Sequence, residues 1–295
     1  MNSIELATKF IPMLDETYRL ACLTSVLDGA PELVREGANA NELIIPKMEL
    51  TGLANYDRNT GYVMGDVYLE SETVQCDYDR GRMFSVDNLD NAESAGIAFG
   101  RLAGEFIRTK VAPELDAYRL SNYARFAMYD ESEKLAKGVA KLESGEDVVK
   151  ELRVAHAAMD EAEVPADGRI LFITSPLKGM VDDMDTYRSR AALNLASQIV
   201  VVPQTRFYTE IELINGGYIR QREDEEAGMN AGKDINFMLI HKSAVIQFQK
   251  HVVPKVIAPE QNQDADAWRF GYRTVGVARV YENKAAGIYC NYLDA

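Results

Sequence analysis

The chain has 295 residues, of which 47% are hydrophobic and 26% are charged. A chain of this length and composition can bury a sizeable core, so we expect one or two globular domains and exclude a disordered protein. The formal net charge of −14 at pH 7 argues against a long contact with nucleic-acid phosphates, because such contacts depend on lysine and arginine.

The cysteines and the apolar segments indicate the compartment in which the chain is made. Cys22, Cys76 and Cys290 lie far apart with no CxxC spacing, which fits a reducing compartment better than a disulfide framework. The first ten residues show no secretory signal, and no segment approaches the roughly 18 consecutive apolar residues of a membrane span. We therefore expect synthesis in the cytosol and no contact with a membrane.

The amino-terminal residues 3–27 predict an amphipathic arm, because their apolar residues recur at roughly helical spacing. Pro12 is expected to delay or interrupt the first turn of this arm. A short β-prone run at 42–46 follows, and its Pro46 suits an edge strand. A new element is therefore predicted to begin near residue 42.

Residues 43–88 predict a long, exposed hairpin. Its arms, Lys47–Leu50 and Val67–Val74, flank a polar middle that is rich in glycine. The arms offer few large apolar residues to fold against, and an isolated two-stranded hairpin is at best marginally stable in water. We therefore expect a neighbouring subunit to hold the hairpin, with a mobile surface loop as the alternative.

Three helices are predicted after the hairpin. Capping-box spacing at Asp90–Glu93 precedes an apolar stripe that predicts a long helix over 91–112. Pro113 is expected to end or kink that helix and to lie in the first turn of a second one, so that helical structure runs to about residue 128. A third, charged helix is predicted over 145–161, where the apolar residues line one face.

Short continuous apolar runs in the second half predict strands that are buried on both faces of a sheet. They are Ile170–Ile173, Ile199–Val202 and Phe237–Ile240. Helical segments, among them Ser243–Gln249, are expected to cover this sheet and to give an α+β or mixed α/β domain. Strict alternation over 268–280 predicts a strand, and a second strand is predicted over 288–292 after a turn at 282–284.

The sequence contains no motif for phosphate cradling, acyl transfer, zinc hydrolysis or dinucleotide binding. Two of its three histidines, His241 and His251, lie ten residues apart, a spacing with no obvious shared helix face for a metal site. Structural or surface roles are favoured for the histidines. We therefore predict no catalytic, cofactor-binding or metal-binding residue, and no cofactor.

Clustered charges leave alternatives open. Asp182–Asp185 and Asp264–Asp266 could bind a divalent cation, but neither matches an EF-hand, and solvated acidic loops are the favoured interpretation. Glu223–Glu226 is predicted to be an exposed loop, with docking to a basic patch of another subunit as a hypothesis. Asp77–Arg82 mixes aromatic and guanidinium groups, as nucleic-acid binders do, but its aspartates favour a salt-bridged strand end.

Taken together, several segments resemble the major capsid proteins of tailed bacteriophages, and the resemblance covers most of residues 40–292. The segments that carry it are Asp77–Phe84 with Asp90–Asn91, Glu105–Val111, Pro113–Tyr118, Pro165–Arg169, Arg206–Thr209, Lys233–Phe237 and Asn262–Trp268. Residues 177–198 and 214–232 match least well.

This resemblance implies the Hong Kong 97-type capsid fold, an α+β fold with a mixed sheet flanked by helices. The expected parts are an amino-terminal arm (1–42), an extended β-hairpin loop (43–88), a peripheral domain (89–165) with a spine helix (91–112), an axial domain (166–260) and carboxyl-terminal strands returning to the peripheral and axial sheets (261–295).

The resemblance also implies a structural function without enzyme activity. The chain is expected to self-assemble into hexamers and pentamers of an icosahedral head that encloses double-stranded DNA, within the virion and after assembly in the host cytoplasm. A scaffolding protein and a portal are the expected partners, with no membrane. An encapsulin-like nanocompartment shell is the alternative, and a cytosolic enzyme or small-molecule binder is a remote one, which would require convergent polar groups in a pocket.

Overall fold

The computed structural model describes residues 21–28, 35–36, 42–56, 58, 61–89, 97–129, 135–223 and 230–294, and it confirms the α+β class. The helices are α1 (Ile97–Phe106), α2 (Ala112–Tyr129), α3 (Gly145–Glu161), α4 (Ser175–Asp183) and α5 (Tyr187–Leu193). The strands are β1 (Arg35–Glu36), β2 (Glu42–Leu50), β3 (Val67–Gln75), β4 (Tyr78–Asp87), β5 (Ala136–Val139), β6 (Arg169–Thr174), β7 (Gln198–Val202), β8 (Ile211–Ile214), β9 (Gly217–Arg220), β10 (Ile235–His241), β11 (Val245–Ile257), β12 (Ala267–Val280) and β13 (Ile288–Leu293).

A mixed five-stranded sheet forms the centre of the molecule, in the order β5-β13-β10-β6-β7. The outer pairs, β13 with β5 and β6 with β7, are parallel, and the inner pairs are antiparallel. Helix α2 packs on one face of this sheet, where Phe172 is fully buried. Helices α3, α4 and α5 pack on the other face, where Leu171 is fully buried. Alternate residues of each strand therefore enter two different cores.

The three apolar runs predicted as strands are strands of this sheet. Every residue of β6 is buried, as expected for a strand with helices on both faces. The prediction of burial on both faces is wrong for β7, in which Gln198 and Val201 are exposed. The reason is position, because in the described part of the chain β7 is an edge strand, paired with β6 on one side.

The long helix is confirmed and is longer than its predicted first segment. Helical structure runs from Ile97 to Tyr129, with a π-helical turn at Ile107–Val111 between α1 and α2. Pro113 does not end the helix, which continues through it; it follows the π-helical turn directly, and its missing N–H removes one hydrogen bond of the helix there. The predicted start at residue 91 lies outside the described residues. Helix α3 occupies the predicted 145–161, with the Ser144 side chain accepting a hydrogen bond from the Asp147 N–H at its start.

A second, antiparallel sheet has the order β11-β12-β4. The helix predicted at Ser243–Gln249 is wrong, because β11 begins at Val245 and pairs there with Val280 of β12. The two carboxyl-terminal strands predicted from alternation are confirmed, and they belong to different sheets: β12 to this one and β13 to the five-stranded sheet. Strand β4, which follows the hairpin, pairs with β12 from Tyr78 to Asp87.

The end of the predicted amino-terminal arm is anchored on α2, while residues 1–20 lie outside the described residues. Buried Asp116 accepts hydrogen bonds from the Leu23 N–H at 3.0 Å and from the Thr24 hydroxyl at 2.8 Å. Arg206 donates to the same carboxylate at 3.1 Å and supplies its counter-charge. A buried carboxylate with this many donors is a well-compensated anchor for the segment that precedes the hairpin.

Candidate assembly surfaces

The predicted hairpin is present, and its register is continuous. Strand β2 pairs with β3 in antiparallel fashion from Glu42 opposite Gln75 to Leu50 opposite Val67. Strand β1 pairs with the base of β2 only at two positions, opposite Leu43 and Ile44. Within the described part of the chain, β2 is therefore an edge strand where Pro46 occurs, and the missing N–H of that residue is tolerated there.

The tip of the hairpin, residues 51–66, is closed by local contacts. The Asp66 N–H donates to the Thr51 hydroxyl at 3.0 Å, and the Thr51 N–H donates to the Asp66 carbonyl at 3.2 Å. Tyr56 and Tyr62 meet edge to face with ring centroids 4.9 Å apart. Gly61 has φ +81°, a conformation that glycine adopts without strain. The described part of the tip is thus held by local contacts, although no described element covers it.

The tip carries large apolar side chains that face solvent. Leu53 is fully exposed, Met64 is 95% exposed and Tyr62 is 88% exposed. Further exposed apolar residues along the hairpin are Leu50, Tyr56, Val63, Val67, Tyr68 and Leu69. Exposed apolar side chains in this number make the hairpin a candidate interaction surface.

Among the residues that the structure describes, only the base of the hairpin packs on the rest of the chain. Val74 is buried against Ile246 of β11 and Val277 of β12. Tyr68 and Leu69 are adjacent in sequence and both are exposed, so their side chains project from opposite faces of β3 into solvent. Among the described residues, neither face of the outer hairpin has an apolar surface of its own chain against it.

The sequence pattern predicts a polar middle of the hairpin that is rich in glycine, and it gives no indication of these exposed apolar residues. Leu53, Tyr62 and Met64 are spaced irregularly among small and polar residues, so they form neither a helical nor an alternating pattern. The available signal was their size alone, because large apolar residues are uncommon in a loop that faces only water.

The acidic clusters form ion pairs within the subunit. Asp182 pairs with Lys178 at 2.6 Å, Asp185 pairs with Arg190, and Asp264 pairs with Arg269 at 2.9 Å. Within the described residues, no group of three potential metal ligands comes together. Glu223 is exposed, and the rest of the Glu223–Glu226 run lies outside the described residues. Asp264–Asp266 lies in a loop, as interpreted, whereas Asp182 and Asp183 form the end of α4, so the loop interpretation is wrong for that part of the first cluster.

The Asp77–Arg82 tract is salt-bridged, as the sequence favoured. Asp79 pairs with Arg273 of the neighbouring strand at 2.6 Å, and Arg80 pairs with Glu114 of α2 at 2.7 Å. Asp77 accepts a hydrogen bond from Tyr118. Because these charges are paired within the subunit, they leave little net field to attract phosphates.

The described histidines have structural surroundings. His241 lies at the end of β10, with one ring nitrogen 2.9 Å from the Asp167 carbonyl and the other 2.8 Å from the Ser243 hydroxyl. His156 is buried in α3, and neither ring nitrogen has a hydrogen-bond partner among the described residues. Burial, with a smaller contribution from the charge of Arg169, lowers the pKa of His156 to about 4. The side chain of His251 lies outside the described set.

None of the three cysteines forms a disulfide, and Cys22 and Cys290 are buried. Burial first, and then the charge of Asp116, raises the pKa of Cys22 to about 12, so this thiol is protonated at neutral pH. In the described part of the chain, no helix combines the length and apolar character that crossing a membrane requires.

The comparisons with known proteins concern the fold. No protein-family model matches the chain, and no curated protein matches it in sequence. Solved structures do match. A chain of the bacteriophage PhiM1 mature capsid aligns with a TM-score of 0.60 at 10% identity, covering 86% of this chain and 82% of that one. A chain from the capsid structure of the cyanophage P-SCSP1u aligns with a TM-score of 0.58 at 11% identity, covering 88% and 85%.

A virus-like particle from Pyrococcus furiosus matches as well, with a TM-score of 0.56 at 10% identity and coverage of 98% of this chain and 100% of the other. At these identities the similarity lies in the arrangement of helices and strands. The architecture described above is thus that of the phage capsid structures, and the chain has the Hong Kong 97-type capsid fold that its sequence resemblance implied.

Proposed function

We propose that the chain is the structural subunit of an icosahedral phage head, that it assembles into hexamers and pentamers, and that the shell encloses double-stranded DNA. The observation that carries this proposal is the hairpin tip, whose Leu53, Tyr62 and Met64 side chains have no covering surface in the described subunit. In a shell, a neighbouring copy supplies that surface. The shared fold of the phage capsids supports the same conclusion.

The geometry of the hairpin favours assembly with a neighbouring copy. Its paired strands reach outward by nine residues each from an anchored base, which corresponds to roughly 30 Å at about 3.3 Å per residue. An isolated two-stranded ribbon is marginal in water, so a partner that covers both faces contributes to its stability. Obligate interfaces bury about 2,000 Å² or more, an area that a protruding hairpin can help to supply.

The charge of the chain suits a shell that encloses a genome without gripping it. The net charge of −14 opposes tight binding to DNA, because the excess of carboxylates repels the phosphates. Several arginines, among them Arg80 and Arg273, are already paired with carboxylates. We propose that the shell confines the DNA, and that a scaffolding protein and a portal, not the DNA sequence, guide its assembly in the host cytoplasm. We propose no enzyme activity for it.

We also propose that the subunit has the parts that its sequence resemblance implies. They are the arm (1–42), the extended loop (43–88), the peripheral domain (89–165), the axial domain (166–260) and the carboxyl-terminal strands (261–295).

A second candidate is a nanocompartment shell that holds protein cargo. The observation that favours it is the match to the virus-like particle from Pyrococcus furiosus, which extends over all of that chain. Both candidates are closed shells of the same subunit fold. The contents of the particle separate them, because a genome and a cargo protein differ in absorbance ratio and in nuclease sensitivity.

Electron microscopy and sedimentation of the purified chain, expressed with and without a scaffolding protein, test the proposal. We expect closed icosahedral particles, and nuclease-sensitive contents in particles isolated with their genome. A uniform monomer or dimer under both conditions would overturn the proposal of a shell. Shells that contain only protein cargo would replace the phage head with the nanocompartment.

A shortened variant tests whether the hairpin tip is needed for shell assembly. Replacing residues 52–65 with a short Gly-Ser turn should leave the melting temperature of the dispersed subunit within a few degrees of the wild type, yet prevent closed shells. The matched control is Tyr187→Ser, which removes a side chain that is 87% exposed and lies outside the hairpin. Normal shells from the shortened chain would remove the hairpin tip from the assembly argument.

A further inference from the structure

The subunit contains two lobes of unequal core size, and two long elements run through both. The large lobe holds α2, the five-stranded sheet and α3–α5. The small lobe holds α1, β4 and the paired ends of β11 and β12, with a core built around Ile107, Val111, Phe270 and Tyr272. The long helix and the β11–β12 ribbon connect the lobes, since the other end of β12 packs in the large lobe through Ala278 and Val280.

Both connecting elements are irregular at the boundary between the lobes. The helix has its π-helical turn at Ile107–Val111. The β11–β12 ladder has a register shift between Gln249 and His251, opposite Gly276 and Val275. Strand β4 also begins at this level, because Tyr78 is its first residue and pairs with Gly276. π-Helical turns and β-bulges are the places where helices and ribbons bend.

Buried Tyr78 of β4 packs against Tyr118 of α2 at this boundary, but beside this contact the boundary is open. An open cavity of about 420 Å³ lies between the π-helical turn, β4, β12 and the turn that joins β8 to β9. Its walls include Thr109, Thr274 and Gly216, one from each of three of these elements. A tightly packed core resists displacement, whereas a boundary with an open cavity leaves room for one lobe to rotate against the other.

Polar side chains at the start of β4 join the lobes across this cavity, and Arg80 makes most of these contacts. The Arg80 guanidinium donates to Glu114 of α2 at 2.7 Å, to the Ile214 carbonyl at 2.6 Å and to the Gly217 carbonyl at 3.2 Å. Tyr78 donates to the same Glu114 carboxylate at 3.2 Å. Arg80 therefore contacts α2 and the β8–β9 turn at once, and its rigid fork of donors fixes both directions.

A neighbouring ion pair of β4, Asp79 with Arg273, does not connect the two lobes. Asp79 and Arg273 lie on β4 and β12, both in the small lobe, and their side chains are about half exposed. This pair joins two strands that are already hydrogen-bonded, so it does not span the boundary. It provides a matched control for the charge, residue types and location of Arg80.

We propose that Arg80 is a positioning residue that locks a hinge between the two lobes, and that its contacts set the angle between them. The consequence of this proposal rests on the proposed function. In a shell, the angle between the lobes sets the angle at which neighbouring subunits meet, and thus the local curvature of the shell. One sequence can then occupy positions of different curvature by releasing or shifting the polar contacts of Arg80. Hinges of this kind change angle at a few residues while both lobes keep their packing.

Pulsed electron paramagnetic resonance on the dispersed full-length chain tests the lock. Spin labels at Met83→Cys on β4 and Tyr187→Cys on α5 report the separation of the lobes, since both positions are exposed. Cys76→Ala removes the partly exposed thiol from the background. We expect Arg80→Gln and Glu114→Gln each to broaden the distance distribution about twofold, the double variant to add nothing further, and Arg273→Gln to leave it unchanged.

The outcomes are decisive in both directions. An unchanged distribution in Arg80→Gln and Glu114→Gln, or equal broadening in Arg273→Gln, would overturn the lock. Thermal unfolding of each variant must remain cooperative, and Glu114→Gln carries the test if Arg80→Gln does not fold. Broader distributions from a chain that never forms shells would keep the hinge and refute the proposed function. In a shell-forming chain, we expect Arg80→Gln to widen the spread of particle diameters relative to Arg273→Gln.

Discussion

The hairpin formed by β2 and β3 and the pair formed by β6 and β10 are both antiparallel ladders, yet they lie in opposite environments. All residues of β6 are buried between helices, whereas every described side chain of β3 except Val74 is exposed. Backbone pairing is similar in the two regions, so the ladder alone does not determine where a strand finds its stability. The sheet is stabilised by the helices of its own chain, and the hairpin, as we propose, by a neighbouring subunit.

The largest expected effect on the isolated subunit comes from the five-stranded sheet. Phe172→Ala removes a fully buried ring from the face of the sheet that α2 covers. We expect the free energy of unfolding to fall by about 3–5 kcal/mol, because the ring loses its burial and leaves a cavity. Urea unfolding at neutral pH measures this loss. A change below about 1 kcal/mol would contradict the assignment of this sheet as the main core.

A smaller effect, which depends on pH, is expected at His156. Its pKa is about 4 in the folded chain, against an ordinary value of 6.5, so the unfolded chain binds more protons between these two values. The contribution of the neutral His156 ring to the free energy of unfolding is fully present above pH 6.5 and is lost as the pH falls toward 4. We expect a loss of about 1–2 kcal/mol over this range, measured as the difference between the wild type and His156→Leu.

The two chains must be compared at each pH, because aspartates and glutamates also titrate as the pH approaches 4. The prediction concerns the difference between their unfolding curves. Parallel curves for the wild type and His156→Leu from pH 7 to pH 4 would show that the buried imidazole does not contribute to acid sensitivity.

The smallest effect on the subunit is expected at the hairpin tip, where Leu53→Ser should change the free energy of unfolding by less than about 0.5 kcal/mol. Leu53 is fully exposed, so the subunit loses no burial when it is replaced. The same substitution should reduce the yield of closed shells, because in a shell the Leu53 side chain is buried against a neighbouring copy. Urea unfolding and particle yield from sedimentation are measured on one preparation. Marked destabilisation of the dispersed subunit would show that the tip packs on its own chain.

These contrasts explain how much of the fold the sequence predicted. Continuous apolar runs identified β6 and β10, and an apolar stripe identified α3, because burial imposes a period on the residues. The segment at 243–249 was predicted as a helix but forms the start of β11, whose pairing with β12 is between residues far apart in sequence. Short local patterns cannot distinguish such a strand from a helix, since tertiary pairing decides it.

The candidate surface was predicted only in outline. The hairpin and its exposure follow from glycine, polar residues and two extended arms, but the apolar tip formed no periodic pattern. The hinge residues were also beyond local reasoning. Arg80 was assigned to a salt-bridged strand end, yet its contacts with Ile214 and Gly217 join segments more than 130 residues apart, which only the fold brings together.

Hydrogen–deuterium exchange of the hairpin strands tests whether a neighbouring copy of the chain stabilises them. The amides of β2 and β3 are compared in the dispersed subunit and in the sedimented particle, with β6 as the internal reference. We expect β6 to be protected in both states, and the outer hairpin to exchange rapidly in the dispersed subunit and slowly in the particle. Equal protection of the hairpin in both states would contradict the claim that a neighbouring copy stabilises it.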